Sequence, residues 1–216
     1  MTPLAWTLLF VAAAAALADW IAVGGATPNR RLEYIAKPAV IVTLIGVAAA
    51  LTPLDATVRG LFIAALGLSL LGDVALMLPR ERFVAGLVAF LLAHLAYIAG
   101  LGIIGLPDGS IAGVIVGLVA VGLVLGSVGR RVFGAVRVGQ SALLGPVIAY
   151  MGVISLMVVA AFATGRPLAI AGALLFYTSD AMLAWDRFVG RRLWGRLAVI
   201  VSYHLGQALL VLSLAA

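Results

Sequence analysis

Two aspartates stand where a carboxylate is expensive. Asp73 lies in LLGDVALMLPRER and Asp180 in FYTSDAMLAWDRF, each flanked by residues that belong in hydrocarbon. An acid at the centre of a membrane helix costs about 2.5–3.5 kcal/mol on insertion scales, so a chain that keeps two is expected to use them. The plainer role would be hydrogen bonding between helices. The chemical role is acid–base work: in a medium of low dielectric two neighbouring carboxylates do not readily both ionise. One then stays protonated as a donor, and the other acts as base or as partner to a developing cation.

Other polar residues recur at helical spacing around them. Gly86, Phe90, His94 and Tyr97 fall at i, i+4, i+8 and i+11, which is one face of a helix, and Tyr203 and Gln207 form an i, i+4 pair with His204 beside them. Polar stripes in an apolar bundle point inward. Lys37 precedes Pro38, with Glu33 one turn earlier; it either binds a phosphate or snorkels to the interface. His94 either joins the chemistry or bridges helices. Asp19 and Asp186 suit interfacial positions or pairing with arginines, and Tyr34, Trp185 and Trp194 fit an interfacial aromatic belt.

The elements that must carry these residues are membrane helices. The 216 residues are 65% hydrophobic and only 10% charged, with a mean hydropathy of +1.24, which no ordinary soluble surface tolerates. The absence of cysteine removes disulfides and thiol catalysis. A net charge of +6 without any aromatic-interleaved basic patch gives no reason to expect nucleic acid, because the basic residues sit between apolar runs. Polar and Pro/Gly breaks divide the chain into eight runs of spanning length, near 3–23, 35–52, 57–78, 83–104, 111–128, 139–163, 167–187 and 194–214. The expected fold is an all-α integral membrane protein, one helical domain over 1–216. The first run lacks a Lys/Arg-rich leader segment and reads as a retained helix.

Charge sets the expected orientation. The links after runs 1, 3, 5 and 7, with their helix ends, carry Arg30, Arg31, Lys37, Arg80, Arg82, Arg130, Arg131, Arg137, Arg187, Arg191, Arg192 and Arg196; the remainder of the chain has only Arg59 and Arg166. Both termini are therefore expected outside the cytoplasm, in a multi-pass protein of the cell membrane. Runs 3 and 7 then point the same way and hold Asp73 and Asp180 at comparable depth, displaced toward the cytoplasm. Pro38 and Pro146 are 108 residues apart, the two aspartates 107, and the HL dipeptides at His94 and His204 110. Such offsets suggest a duplicated four-helix unit, 1–108 and 109–216.

The segments EYIAKPAVI, LLGDVALML, FVAGLVAFLLAHLAY, YTSDAMLA and YHLGQALL, in this order, resemble the successive motifs of the YhhN-like lysoplasmalogenase family. The resemblance implies an eight-helix membrane hydrolase that cleaves the vinyl ether bond of lysoplasmalogens, giving a fatty aldehyde and a glycerophospho-alcohol. The family's paired aspartates fall on Asp73 and Asp180, its Lys-Pro element on Lys37 and Pro38, its fourth-helix His and Tyr on His94 and Tyr97, and its closing Tyr and Gln on Tyr203 and Gln207. Tyr177 and Ser179, in the same motif as Asp180, join the candidate substrate contacts. His204 lies outside the family pattern.

That chemistry suits two acids. A proton delivered to the β-carbon of a vinyl ether generates an oxocarbenium ion, which water attacks before the hemiacetal collapses. No cofactor and no metal is needed, and the expected partners are a lysophospholipid and the bilayer around it, with no signal for oligomeric state. Two alternatives use the same acids: a proton-coupled transporter built on the repeat, and a zinc-dependent lipid hydrolase with two Asp and two His as ligands. A lipid-binding scaffold without turnover is a third.

Overall fold

The computed structural model describes residues 1–25, 27–52, 55–78, 82–105 and 109–215. Eight helices have the length and composition to cross a membrane: α1 Pro3–Gly24, α2 Arg30–Ala50, α3 Ala56–Met77, α4 Phe83–Gly105, α5 Ile111–Gly139, α6 Ser141–Ala163, α7 Pro167–Phe188 and α8 Gly195–Ala215. Their ends follow local chemistry. The side chains of Thr2, Asn29, Asp55 and Ser110 accept hydrogen bonds from first-turn amides of α1, α2, α3 and α5, satisfying donors that have no partner inside the helix. Gly165, at φ +65°, turns the chain between α6 and α7, and Pro167 opens the next helix.

Seven of these helices close a ring. Each packs on the next in the order α1, α2, α3, α4, α6, α7 and α8, and α8 returns to α1 and α2; α5 stands outside, against α6 and, through its C-terminal turns, α7. Close approach is built from small residues. On α7 a Cβ at Gly172 would lie 2.8 Å from the amide nitrogen of Leu210 and 2.9 Å from the carbonyl oxygen of Gly206 on α8, so backbone meets backbone there. On α1 the buried residues Ala5, Ala12, Ala16, Asp19 and Val23 make one stripe along the helix.

The fifth helix departs from the expected boundary. Its run was expected to end near 128 with the following arginines in a link; instead the helix passes through a π-helical turn at Leu125–Gly129 and continues from Arg130 to Gly139. The extension is amphipathic. Val132 and Val136, one turn apart, are fully buried, while Arg131 lies over the Trp185 ring of α7 at 5.5 Å. Burial of that valine pair carries the helix on through a charged stretch. Arg80, counted in the charge pattern, lies outside the described residues.

Candidate active site

Both acids face the interior of the ring, and each is met by one adjacent and one more distant helix. Asp73, on α3, is 1% exposed. Its Oδ1 lies 2.8 Å from Lys37 Nζ of the adjacent α2, and its Oδ2 accepts a 2.7 Å hydrogen bond from Tyr203 of α8. Asp180, on α7, is 8% exposed. Its Oδ2 accepts a hydrogen bond from the Tyr150 hydroxyl of the adjacent α6, and His94 Nε2 of α4 stands 3.8 Å from the same oxygen.

The remaining candidates sort by distance from these carboxylates. Gln207 donates to the Tyr203 hydroxyl at 3.3 Å and accepts from Tyr97 at 2.5 Å, so a chain of three side chains runs from α4 to Asp73. Tyr97 and Gln207 are fully buried and reach the acid only through Tyr203. Ser179 donates to the Val199 carbonyl at 2.9 Å. Tyr177 turns the other way, its hydroxyl 3.1 Å from Ser155 of α6. Phe90 and Phe176 pack edge-on between the polar groups, with Phe90 5.9 Å and Phe176 5.2 Å from the Tyr203 ring. Gly72 makes room for this: a Cβ there would stand 2.6 Å from the Phe90 ring.

Lys37, expected either at a phosphate or at the interface, is an ion-pair partner of Asp73, with its ammonium also 5.8 Å from the Tyr203 ring. Asp186 pairs with Arg192 at 2.8 Å, as anticipated for an acid at a helix end. Asp19 does not behave that way. It is fully buried, neither of its oxygens has a hydrogen-bond partner among the described residues, and His204 Nε2 stands 3.9 Å from its Oδ2. The reason is the ring: α1 packs on α2 and α8, and Asp19 belongs to its buried stripe. Trp20 donates to His204 Nδ1 at 3.2 Å, so Nδ1 is the accepting nitrogen and Nε2 the one that carries the proton.

Tyr150 is the contact that sequence reasoning missed. It sits in the apolar stretch GPVIAYM, where a tyrosine barely alters hydropathy. Its mid-membrane position, one turn after Pro146, was the available signal.

Two spaces meet at the acids. A cavity of about 530 Å³ has Lys37, Asp73, Asp180, Phe90 and Tyr203 among its walls, and Arg30, Arg187, Arg191, Arg192 and Arg196 also line it. A narrow apolar cleft adjoins it, lined by Leu87, Val147, Met151 and Ala184 with Tyr150 and Asp180. Asp180 borders both spaces, whereas Asp73 borders only the larger. Among the described residues no three His, Asp or Glu side chains converge as a metal-ligand set.

These features define a class: a ring of membrane-length helices closed around two buried carboxylates, with a polar cavity on one side and an apolar cleft on the other. The chain belongs to the YhhN family, whose model matches residues 32–214. It is similar to the lysoplasmalogenase TMEM86B of Mus musculus, with 34% identity over 149 residues, 69% of this chain and 61% of that protein. The proteins of the same name from Rattus norvegicus and Homo sapiens are 33% and 31% identical, over 69% of this chain and 59% and 61% of theirs. The chain thus spans about three fifths of the length of the curated relatives it matches. No solved structure matches it.

Proposed function

We propose that this protein hydrolyses the vinyl ether bond of lysoplasmalogens, converting lysoplasmenylethanolamine or lysoplasmenylcholine to a fatty aldehyde and glycerophosphoethanolamine or glycerophosphocholine. The observation that carries the reading is the position of Asp180 between the apolar cleft and the polar cavity, with Asp73 on the polar side alone.

A vinyl ether has the same polarity. Its β-carbon bears the hydrocarbon chain, and its oxygen bears the glycerol and headgroup. With the carbons next to the double bond in the cleft, Asp180 is the acid within reach of the β-carbon. Tyr150 occupies Oδ2, leaving Oδ1 to carry the proton. Protonation forms the new C–H bond and leaves an oxocarbenium ion at the α-carbon, next to two carboxylates that stabilise it electrostatically.

Asp73, ion-paired with Lys37, is the ionised member, and it takes a proton from water in the cavity as that water bonds to the α-carbon. The hemiacetal then collapses. Its hydroxyl proton returns to Asp180, Asp73 delivers its proton to the glycerol oxygen, and the C–O bond breaks. One water is consumed, and both acids recover their starting states.

The experiment is detergent-purified protein incubated with lysoplasmenylethanolamine in D₂O, with the aldehyde analysed by mass. Carbon protonation by an exchangeable acid places one deuterium on the carbon next to the aldehyde. Absence of aldehyde removes the enzymatic reading and returns weight to a proton-coupled transporter, and aldehyde without that deuterium removes the mechanism.

A further inference from the structure

The arginines along the larger cavity keep a register with the acids that loop charge alone does not require. Arg30 is seven residues from Lys37 on α2, Arg187 seven from Asp180 on α7, and Arg196 seven from Tyr203 on α8. Seven residues are two helical turns, so each pair shares a face, about 10 Å apart along its helix. Three helices therefore repeat one arrangement: a residue of the acid layer, and an arginine two turns toward the same end of the bundle. All of them line the one cavity.

Their partners separate two groups. Arg192 is committed, its Nε to Asp186 and its NH2 to the Met182 carbonyl at 3.0 Å. Arg196 and Arg30 share the buried Glu33, at 2.5 and 3.8 Å, so two cations stand against one carboxylate. Arg191 is exposed and has no ion pair or side-chain hydrogen bond among the described residues. The cavity mouth therefore keeps cationic charge over after its internal pairing.

We propose that Arg30, Arg191 and Arg196 form the subsite for the phosphate diester of the lysolipid, with Arg187 stacked 4.5 Å from the Phe83 ring where cavity and cleft join. This rests on the lysoplasmalogen reading and names what holds the headgroup. In that substrate five bonds separate the vinyl ether oxygen from phosphorus, about 6 Å when extended. An arginine side chain reaching back from two turns away spans the remainder. Guanidinium forks suit phosphate oxygens, and Lys37, engaged by Asp73, is left to the chemistry. The apolar cleft selects a lipid phosphate over a free one, since a soluble phosphate would leave it empty.

The test compares lysoplasmenylethanolamine with 1-alkenylglycerol, which has the vinyl ether and no phosphate, on the wild type, Arg191→Gln and Arg191→Gln/Arg196→Gln. The double variant keeps Arg30 against Glu33. In the wild type the phosphate-bearing substrate is favoured in kcat/KM, and the double variant reduces that preference about tenfold, through KM, as expected for loss of charge-assisted hydrogen bonds made equally in ground and transition states. A preference unchanged in both variants overturns the subsite.

Binding of an ester lysolipid against a monoacylglycerol of the same chain is measured in parallel by thermal shift. If the wild type cleaves neither vinyl ether, the hydrolase reading fails, and this binding arm still decides: lysolipid preference lost in the double variant supports the rim, and preference retained overturns it. Inorganic phosphate is expected to displace the lysolipid only at far higher concentration. Displacement at comparable concentration would make the rim a free-phosphate site and sink the proposal.

Discussion

Lys37 Nζ lies 2.8 Å from Asp73 Oδ1 in the interior of the ring, while the other acid is met by a phenol and an imidazole. Two chemically identical side chains thus stand in unequal surroundings. In the proposed reaction the carboxylate beside the ammonium serves as the base, and the one beside the hydroxyl and the imidazole serves as the acid.

Lys37→Met is accordingly expected to lower kcat about a hundredfold with KM held within about threefold, because it strands a buried carboxylate without its cation. Lys37→Arg should recover part of the loss. Steady-state kinetics on lysoplasmenylethanolamine decide it: a rise in KM at constant kcat would return Lys37 to the headgroup.

Asp73→Asn and Asp180→Asn should each reduce turnover by about 10²–10⁴-fold, since asparagine keeps the shape and loses the transferable proton. Binding of a non-cleavable ester lysolipid should survive in both. Near-normal turnover in either variant removes that residue from the mechanism.

Gly172→Ala places a methyl 2.8 Å from the Leu210 amide nitrogen and 2.9 Å from the Gly206 carbonyl oxygen. Backbone cannot step aside as a flexible side chain can. A destabilisation of about 1–3 kcal/mol is expected, seen as a lower melting temperature in detergent. Gly67→Ala, whose methyl would meet nothing within 4 Å, is the matched control and should melt at or above the wild type.

Much of this arrangement was written plainly in the residue pattern, and the exceptions share a cause. Asp73 and Asp180 were conspicuous because an acid in an apolar run changes local hydropathy sharply, and the eight spans followed from the same contrast. Tyr150 produces no such contrast, and its importance depends on α6 lying beside α7. Asp19 was placed at an interface because it stands near a helix end; its burial depends on the return of α8 to α1, a contact 185 residues away in sequence at His204. The extension of α5 was hidden by Arg130, Arg131 and Arg137, although Val132 and Val136 carried the helical period all along. Local chemistry announces itself in a linear string, and closure of a ring does not.

The charge asymmetry leads to one further expectation. Reporter fusions at Met1 and Ala216 should both report an extracytoplasmic location, with the arginine-lined mouth opening to the cytoplasm. A cytoplasmic signal at either end would invert or break that topology, and substrate would then have to enter from the other leaflet.

The border position of Asp180 also bears on what happens after the bond breaks. In the proposed reaction the aldehyde forms with the carbons beside its carbonyl at the apolar cleft, and the glycerophospho-alcohol forms in the arginine-lined cavity. The two fragments prefer different solvents, and once they have departed into different phases the reverse encounter requires both to return at once. Such a placement would hasten release and make recombination at the site rare, while the balance between substrate and products stays that of the two phases themselves, as in a separating funnel.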